Sequence, residues 1–169
     1  MRLLISHDEI VKMCERIGSE ITTKFKDKTP IVVCVLKGAS PFHSELIKHI
    51  NTDIELDFVQ FSSYNGTNST GVVTLKKDMD IDVSGRDVIV VEDIIDTGLT
   101  MKTFEDILNT RNAHSITYVT MLDKPSRRKV EFEADYVGQT IDNLFVVGFG
   151  LDLDEKLRNL NDVYVYNED

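Results

Sequence analysis

Three apolar runs constrain this chain more than any other feature: "PIVVCVL" at residues 30–36, "DVIVVED" at 87–93 and "SITYVTML" at 115–122. Each is too short for a helix that keeps a polar face. Each also lacks the alternation of a strand with one face in water, so each reads as a strand buried on both sides. Such strands need helices above and below, and the intervening segments supply them. Ser6 and Glu9 have capping-box spacing, and Ile10, Cys14, Ile17, Ile21 and Phe25 recur at helical spacing, which predicts an amphipathic helix over 7–26. Pro41 suits a first helical turn, with Phe42, Leu46, Ile47 and Ile50 as the apolar stripe, and a third helix is predicted from about Leu99 to Thr110. "IELDFVQF" and "VVTLK" add two strands, and Ser84-Gly85 a turn. The expected fold class is α/β: a parallel twisted sheet flanked by helices, with right-handed crossovers. A chain of 169 residues fits one domain, 1–169, able to bury roughly 70% of its unfolded surface.

Charge and composition exclude several functions. A formal net charge of −10 argues against binding nucleic acid through its phosphates, which needs a clustered basic surface. Only "KPSRRK", Lys124 to Lys129, is locally basic, and a solvated turn is one reading of it. Cys14 and Cys34 lie on apolar faces and read as small core residues in a reducing compartment. His7, His43, His49 and His114 are scattered, with no zinc-type grouping. No apolar run approaches the ~18 residues of a membrane span, and "MRLLISHDEI" lacks a signal-like apolar region, so a cytoplasmic protein with no membrane partner is expected.

Ligands of parallel α/β sheets bind beyond the carboxyl ends of the strands. Here those ends carry "LKGA", "VEDIIDTGLT" and "LDKPS". Gly98 after Thr97 leaves the backbone bare at a helix entrance, where N–H groups can converge on a phosphate and Thr97 and Thr100 add hydroxyls. The glycine spacing and the missing lysine rule out a nucleoside-triphosphatase loop. Thr97-Gly98 alone would also fit an ordinary strand-to-helix turn. Glu92, Asp93 and Asp96 packed beside it would repel one another unless hydroxyl donors or a cation compensate. A sugar phosphate, with its vicinal hydroxyls on the carboxylates and Mg2+ relieving the remaining repulsion, satisfies both halves of the motif.

"VIVVEDIIDTGLTM" resembles the phosphoribosyl-pyrophosphate signature of type I phosphoribosyltransferases, in the form typical of the hypoxanthine-guanine branch. The resemblance spans most of the chain, through "LKGA", "SSYNGTNSTG", "MLDKPSRR" and "FVVGFGLDLDEKLRNL". It implies the type I fold with a small hood formed by the terminal segments, and purine salvage: transfer of a phosphoribosyl group to hypoxanthine or guanine. By resemblance, Glu92 and Asp93 hold the ribose hydroxyls directly or through Mg2+, and Asp96, Thr97, Gly98, Leu99 and Thr100 wrap the 5′-phosphate. Asp96 is the general base facing purine N7. Lys37 and Gly38 meet the pyrophosphate, at a place where the family often has a cis peptide, and Arg158 assists them. Lys124 donates to the purine 6-oxo group, Phe145 stacks on the ring, Val146 offers main-chain contacts, and Asp152 is a second Mg2+-associated acid beside the purine.

Those residue types suit the chemistry. Departure of pyrophosphate leaves positive charge on the ribose, which carboxylates stabilise, while cations stabilise the leaving group. Such a centre is prone to attack by water, so a closing lid is useful, and "SSYNGTNSTG" at 62–71, with Ser63 and Tyr64, has the composition for one. Taken singly, Lys124 also reads as a surface lysine, Phe145 as core, and "DLDEKLR" as an acidic helix start. The segment "GQTIDNLFVVGFG" stands where relatives read nearer "GFEIPDEFVVGYG", and Ala39 and Leu153 also depart from the common pattern, which leaves base preference open. A phosphorelay receiver needs its acid pair at the first strand, and a regulator binding RNA needs a basic face. Signatures for adenine, orotate or uracil fit "DKPSRR" and "FVVGFGLD" less well. The family commonly forms dimers or tetramers, so a homodimer or homotetramer is expected.

Overall fold

The computed structural model describes residues 1–63 and 72–167. Its larger sheet has six strands: β2 (Ile31–Leu36), β3 (Glu55–Ser63), β4 (Val73–Lys77), β5 (Asp87–Ile95), β6 (Ser115–Asp123) and β7 (Tyr136–Thr140), in the order β4-β3-β2-β5-β6-β7. All neighbours run parallel except the edge pair β3 and β4. A smaller antiparallel sheet joins β1 (Arg2–Ile5), β9 (Val163–Val165) and β8 (Val146–Val147), in the order β1-β9-β8. This is the hood that the resemblance implied, built from both ends of the chain.

Helix α1 (His7–Lys24) starts with the predicted capping box: Glu9 N–H donates to Ser6 Oγ, and Ser6 N–H donates to Glu9 Oε2 at 2.8 Å. It ends two residues before the sequence expectation, with Phe25 as its C-cap. Helices α2 (Ser40–Ile47) and α3 (Leu99–Thr110) follow β2 and β5. The strand residues divide by parity. Val32, Ile89, Val91 and Val119 join α1, α2 and the hood in one core, whereas Ile31, Val33, Val88 and Val90 join Phe104 and Leu108 of α3 in the other. That division explains why the central runs are continuously apolar: each strand has a helix layer on both sides. Hood residues Ile5, Val146, Val163 and Val165 belong to the first core, so the hood is fastened to the main sheet by shared burial. Among the described residues no helix is long and apolar enough to cross a membrane. Cys14 and Cys34 are buried free thiols, and burial pushes both up to about 12.

The strand expected over 87–93 runs two residues further: β5 continues through Glu92 and Asp93 to Ile95, with Glu92 opposite Thr120 and Ile95 opposite Asp123, and the turn comprises Asp96 to Gly98. "DLDEKLR" does not start a helix, since it folds as turns in which Asp154, Glu155 and Leu157 take positive φ. Of the expected lid, Ser63 ends β3 opposite Val73, and Tyr64 and the rest of 64–71 lie outside the described residues.

Candidate active site

The carboxyl ends of β2, β5 and β6 and the start of the hood meet at one edge of the main sheet. β2 leads into the Leu36–Lys37 peptide, which is cis, and then Gly38. A Cβ on Gly38 would lie 1.8 Å from Asp93 Oδ2 and 3.6 Å from Arg158 Nη1, so only glycine lets this backbone lie against the acid at the end of β5. A Cβ on Gly150 would likewise meet Gly38 O at 1.9 Å, which packs the hood segment onto the same turn. Gly38→Ala is therefore expected to fold but to push the flexible Asp93 carboxylate aside. We expect its kcat/KM for phosphoribosyl pyrophosphate to fall about tenfold to 10²-fold, with a melting temperature near that of the parent, as steady-state kinetics and a thermal melt would show.

Glu92 is buried, at 8% exposed, and Asp93 is half-buried. Burial, followed by repulsion from the adjacent Asp93 carboxylate, holds Glu92 well above the ordinary carboxylate range; burial raises Asp93 as well. Local hydrogen bonds satisfy only part of this pair: Asp93 N–H donates to Glu92 Oε1 at 3.0 Å and Ile94 N–H to Asp93 Oδ1 at 2.6 Å. Gly98 caps α3 at φ 83°, a left-handed conformation that favours glycine. Thr97 Oγ1 accepts from Leu99 N–H at 3.3 Å. Glu92, Asp96, Thr97, Gly98 and Thr100 line a cavity of about 100 Å³. That is well under the roughly 300–1,000 Å³ of pockets for drug-sized ligands, and its size suits a small anion.

Asp96 Oδ1 accepts from Arg127 Nε at 3.1 Å. Lys124 is only 7% exposed, so it is not a surface lysine; burial lowers its ammonium, and Asp96 opposes that effect. Phe145 is 52% exposed, so it is not core; its ring stands T-shaped to that of Tyr166, at 6.1 Å between centroids. Val146 lies in β8, the edge strand of the smaller sheet, paired with β9, and is buried. Arg158 donates to Gly150 O at 2.7 Å, pairs with Asp152 Oδ1 at 3.2 Å and with Glu155 Oε1 at 3.0 Å, and its buried Nε has no partner among the described residues. Glu155 also reaches Lys37 Nζ at 2.8 Å.

Of the expected residues, the fold brings Gly38, Asp93 and Arg158 together and sets Glu92 beside Asp96, Thr97, Gly98 and Thr100, and three residues that the sequence did not single out organise them: Arg127, Arg128 and Glu155. The two arginines sit in the basic run that a solvated turn would explain equally well. In the structure it forms a short 3-10 helix, Pro125–Arg127, braced against the acidic loop. Among the described residues no three His, Cys, Asp or Glu side chains group closely enough to hold a metal ion, so Asp152 does not join Glu92 and Asp93 in one cluster.

A family model, "Phosphoribosyl transferase domain", matches residues 4–154. The chain belongs to the phosphoribosyltransferase family. Within that family it is 49% identical over 169 residues to a hypoxanthine-guanine phosphoribosyltransferase of Streptococcus pneumoniae, covering 99% of this chain and 94% of the relative. Among solved phosphoribosyltransferases, a hypoxanthine phosphoribosyltransferase from Staphylococcus aureus superposes with a TM-score of 0.94 at 40% identity, covering 99% of this chain and 91% of that one. A hypoxanthine-guanine phosphoribosyltransferase from Bacillus anthracis, with a HEPES molecule in its active site, gives the same TM-score and identity over 99% of each chain.

Proposed function

We propose that this chain serves purine salvage by transferring the 5-phosphoribosyl group from phosphoribosyl pyrophosphate to hypoxanthine, guanine or both, giving IMP, GMP or both plus pyrophosphate. The observation that carries this reading is the placement of Asp93 against Gly38 and near Arg158, while its buried neighbour Glu92 lines the cup that Gly98 opens. The relatives' names support the choice of a 6-oxopurine.

In this reading the cup at residues 96–100 takes the 5′-phosphate on its N–H groups and on the hydroxyls of Thr97 and Thr100. Glu92 and Asp93 accept the ribose hydroxyls, which returns hydrogen-bond donors to two carboxylates that burial has deprived of water. Lys37, Gly38 and Arg158 receive the pyrophosphate, and the unpartnered Arg158 Nε is a donor ready for it. Phe145 covers the base, Val146 meets its edge, and Lys124 donates to the 6-oxo group from a dry setting that strengthens the bond. Asp96 accepts the N7 proton as N9 attacks the anomeric carbon, and the carbon–oxygen bond to pyrophosphate breaks.

Glu92 and Asp93 also suit Mg2+, since they offer hard carboxylate oxygens and this ion commonly uses one or two carboxylates with substrate oxygens and water; Asp152 stands apart from that pair. When bound it would neutralise charge on the departing pyrophosphate. A cytoplasmic homodimer or homotetramer completes the reading.

The test is to incubate the pure protein with Mg2+, phosphoribosyl pyrophosphate and hypoxanthine, guanine, xanthine, adenine, uracil or orotate in turn. Nucleotide should form with hypoxanthine or guanine. No product with any base would overturn the assignment, and product from adenine or a pyrimidine alone would overturn the choice of base.

A further inference from the structure

We propose that Arg128 is a positioning residue for the phosphate cup, holding the carbonyl oxygens at its root so that the following N–H groups face the ligand. The proposal rests on the reading of residues 96–100 as the phosphate site. Arg128 has a largely buried side chain, 15% exposed. Its Nη1 donates to Ile95 O and Asp96 O, both at 3.1 Å, its Nη2 to Asp123 Oδ1 at 2.6 Å, and its Nε to Phe132 O at 2.9 Å. One planar fork therefore ties the end of β5 to the end of β6 and to the loop after the 3-10 helix.

Peptide geometry carries the argument further. In a planar trans peptide the C=O of one residue and the N–H of the next point in opposite directions. Ile95 O and Asp96 O face Arg128, and Thr97 O accepts from Lys129 N–H at 2.9 Å. The N–H groups of Asp96, Thr97 and Gly98 are accordingly turned away from the 124–129 segment. Successive N–H groups arranged this way make an anion-binding concavity. Arg128 also lies under the cup, since a Cβ on Gly98 would be 3.3 Å from its Cδ. Asp123 takes up much of the guanidinium charge, so Arg128 acts on the backbone and does not itself reach the phosphate. Lysine, a point charge without the fork, cannot hold two carbonyls, a side-chain carboxylate and Phe132 O at once.

The test measures binding of ribose 5-phosphate by calorimetry, and steady-state kinetics, for the parent protein, Arg128→Met, Arg128→Lys and Arg128→Ala. Arg128→Met should raise both the ribose 5-phosphate dissociation constant and the KM for phosphoribosyl pyrophosphate about tenfold or more, while the KM for hypoxanthine stays within about twofold. Arg128→Lys should recover only part of the loss, and guanidinium ion added to Arg128→Ala should restore binding. If Arg128→Met does not fold, the lysine variant carries the same comparison. Ribose 5-phosphate affinity unchanged in both the methionine and lysine variants, or equal losses for sugar phosphate and purine with no guanidinium effect, would overturn the role of Arg128 alone. Absence of ribose 5-phosphate binding by the parent, or undiminished binding by Thr100→Val and Gly98→Val, would overturn the phosphate-cup reading and the proposal with it.

Discussion

Replacing Asp96 with asparagine is expected to lower kcat by about 10²–10⁴-fold while leaving ribose 5-phosphate affinity within about twofold. Three features combine to give that split. Asp96 stands at the end of β5, where its side chain is 39% exposed and open to a bound base. Its carboxylate is held by Arg127 Nε, so its direction is set before substrate arrives. The proposed cup, in contrast, offers phosphate backbone N–H groups that an isosteric amide does not disturb. Asparagine keeps the shape and cannot accept the N7 proton as a carboxylate does. Single-turnover kinetics with hypoxanthine, alongside calorimetry, separates the two effects. An unchanged rate would remove Asp96 as the base, and a parallel loss of sugar-phosphate affinity would make it a binding residue.

Glu92→Gln should be more stable than the parent and nearly inactive. In the folded protein burial and Asp93 hold the Glu92 carboxyl above its ordinary value of 4.5, whereas the unfolded chain titrates near that value. Between the two values the folded state binds more protons than the unfolded state, so stability falls as pH rises through the window; above the folded value the full penalty is present. Glutamine has no proton to lose. The melting temperature of the variant should therefore exceed that of the parent by an amount that is small below pH 4.5, grows with pH and then levels off. For a chain of this size each 1 kcal/mol is about 2–4 °C. Activity should fall about 10²-fold, because one carboxylate aimed at the ribose is gone. A variant less stable than the parent at neutral pH would show that the buried acid supports the fold instead of straining it. The expected opposition between stability and activity is a common signature of residues kept for function.

Much of this was legible in the sequence, for identifiable reasons. β2, β5 and β6 are covered on both faces, so burial wrote continuous apolar runs, and α3 ran from Leu99 to Thr110 because glycine marked its start. β1, β7, β8 and β9 have five residues or fewer. Such lengths give too few positions for a period to show, and the hood was foreseeable only through the family resemblance. The acids and the glycine cup were readable because like charges beside a bare backbone demand a ligand. Arg128 was not, since an arginine turned inward towards carbonyl oxygens looks, in a basic run, like its exposed neighbours. Glu155 escaped for a similar reason: its partners Lys37 and Arg158 are over 100 residues away and three residues away respectively, and only the positive-φ turns bring them together.

The pairing of β1 with β9 sets an order of assembly during synthesis. Arg2 lies opposite Val165 and Val146 opposite the same residue, so β9 is the middle strand on which both neighbours depend. The main sheet can gather its strands as they emerge, but β1 must wait for β9, which is made after every strand of the main sheet. On the ribosome a chain that has emerged only as far as β8 therefore lacks the middle strand of the smaller sheet, and β1 and β8 gain their shared partner together, when Val163–Val165 appears.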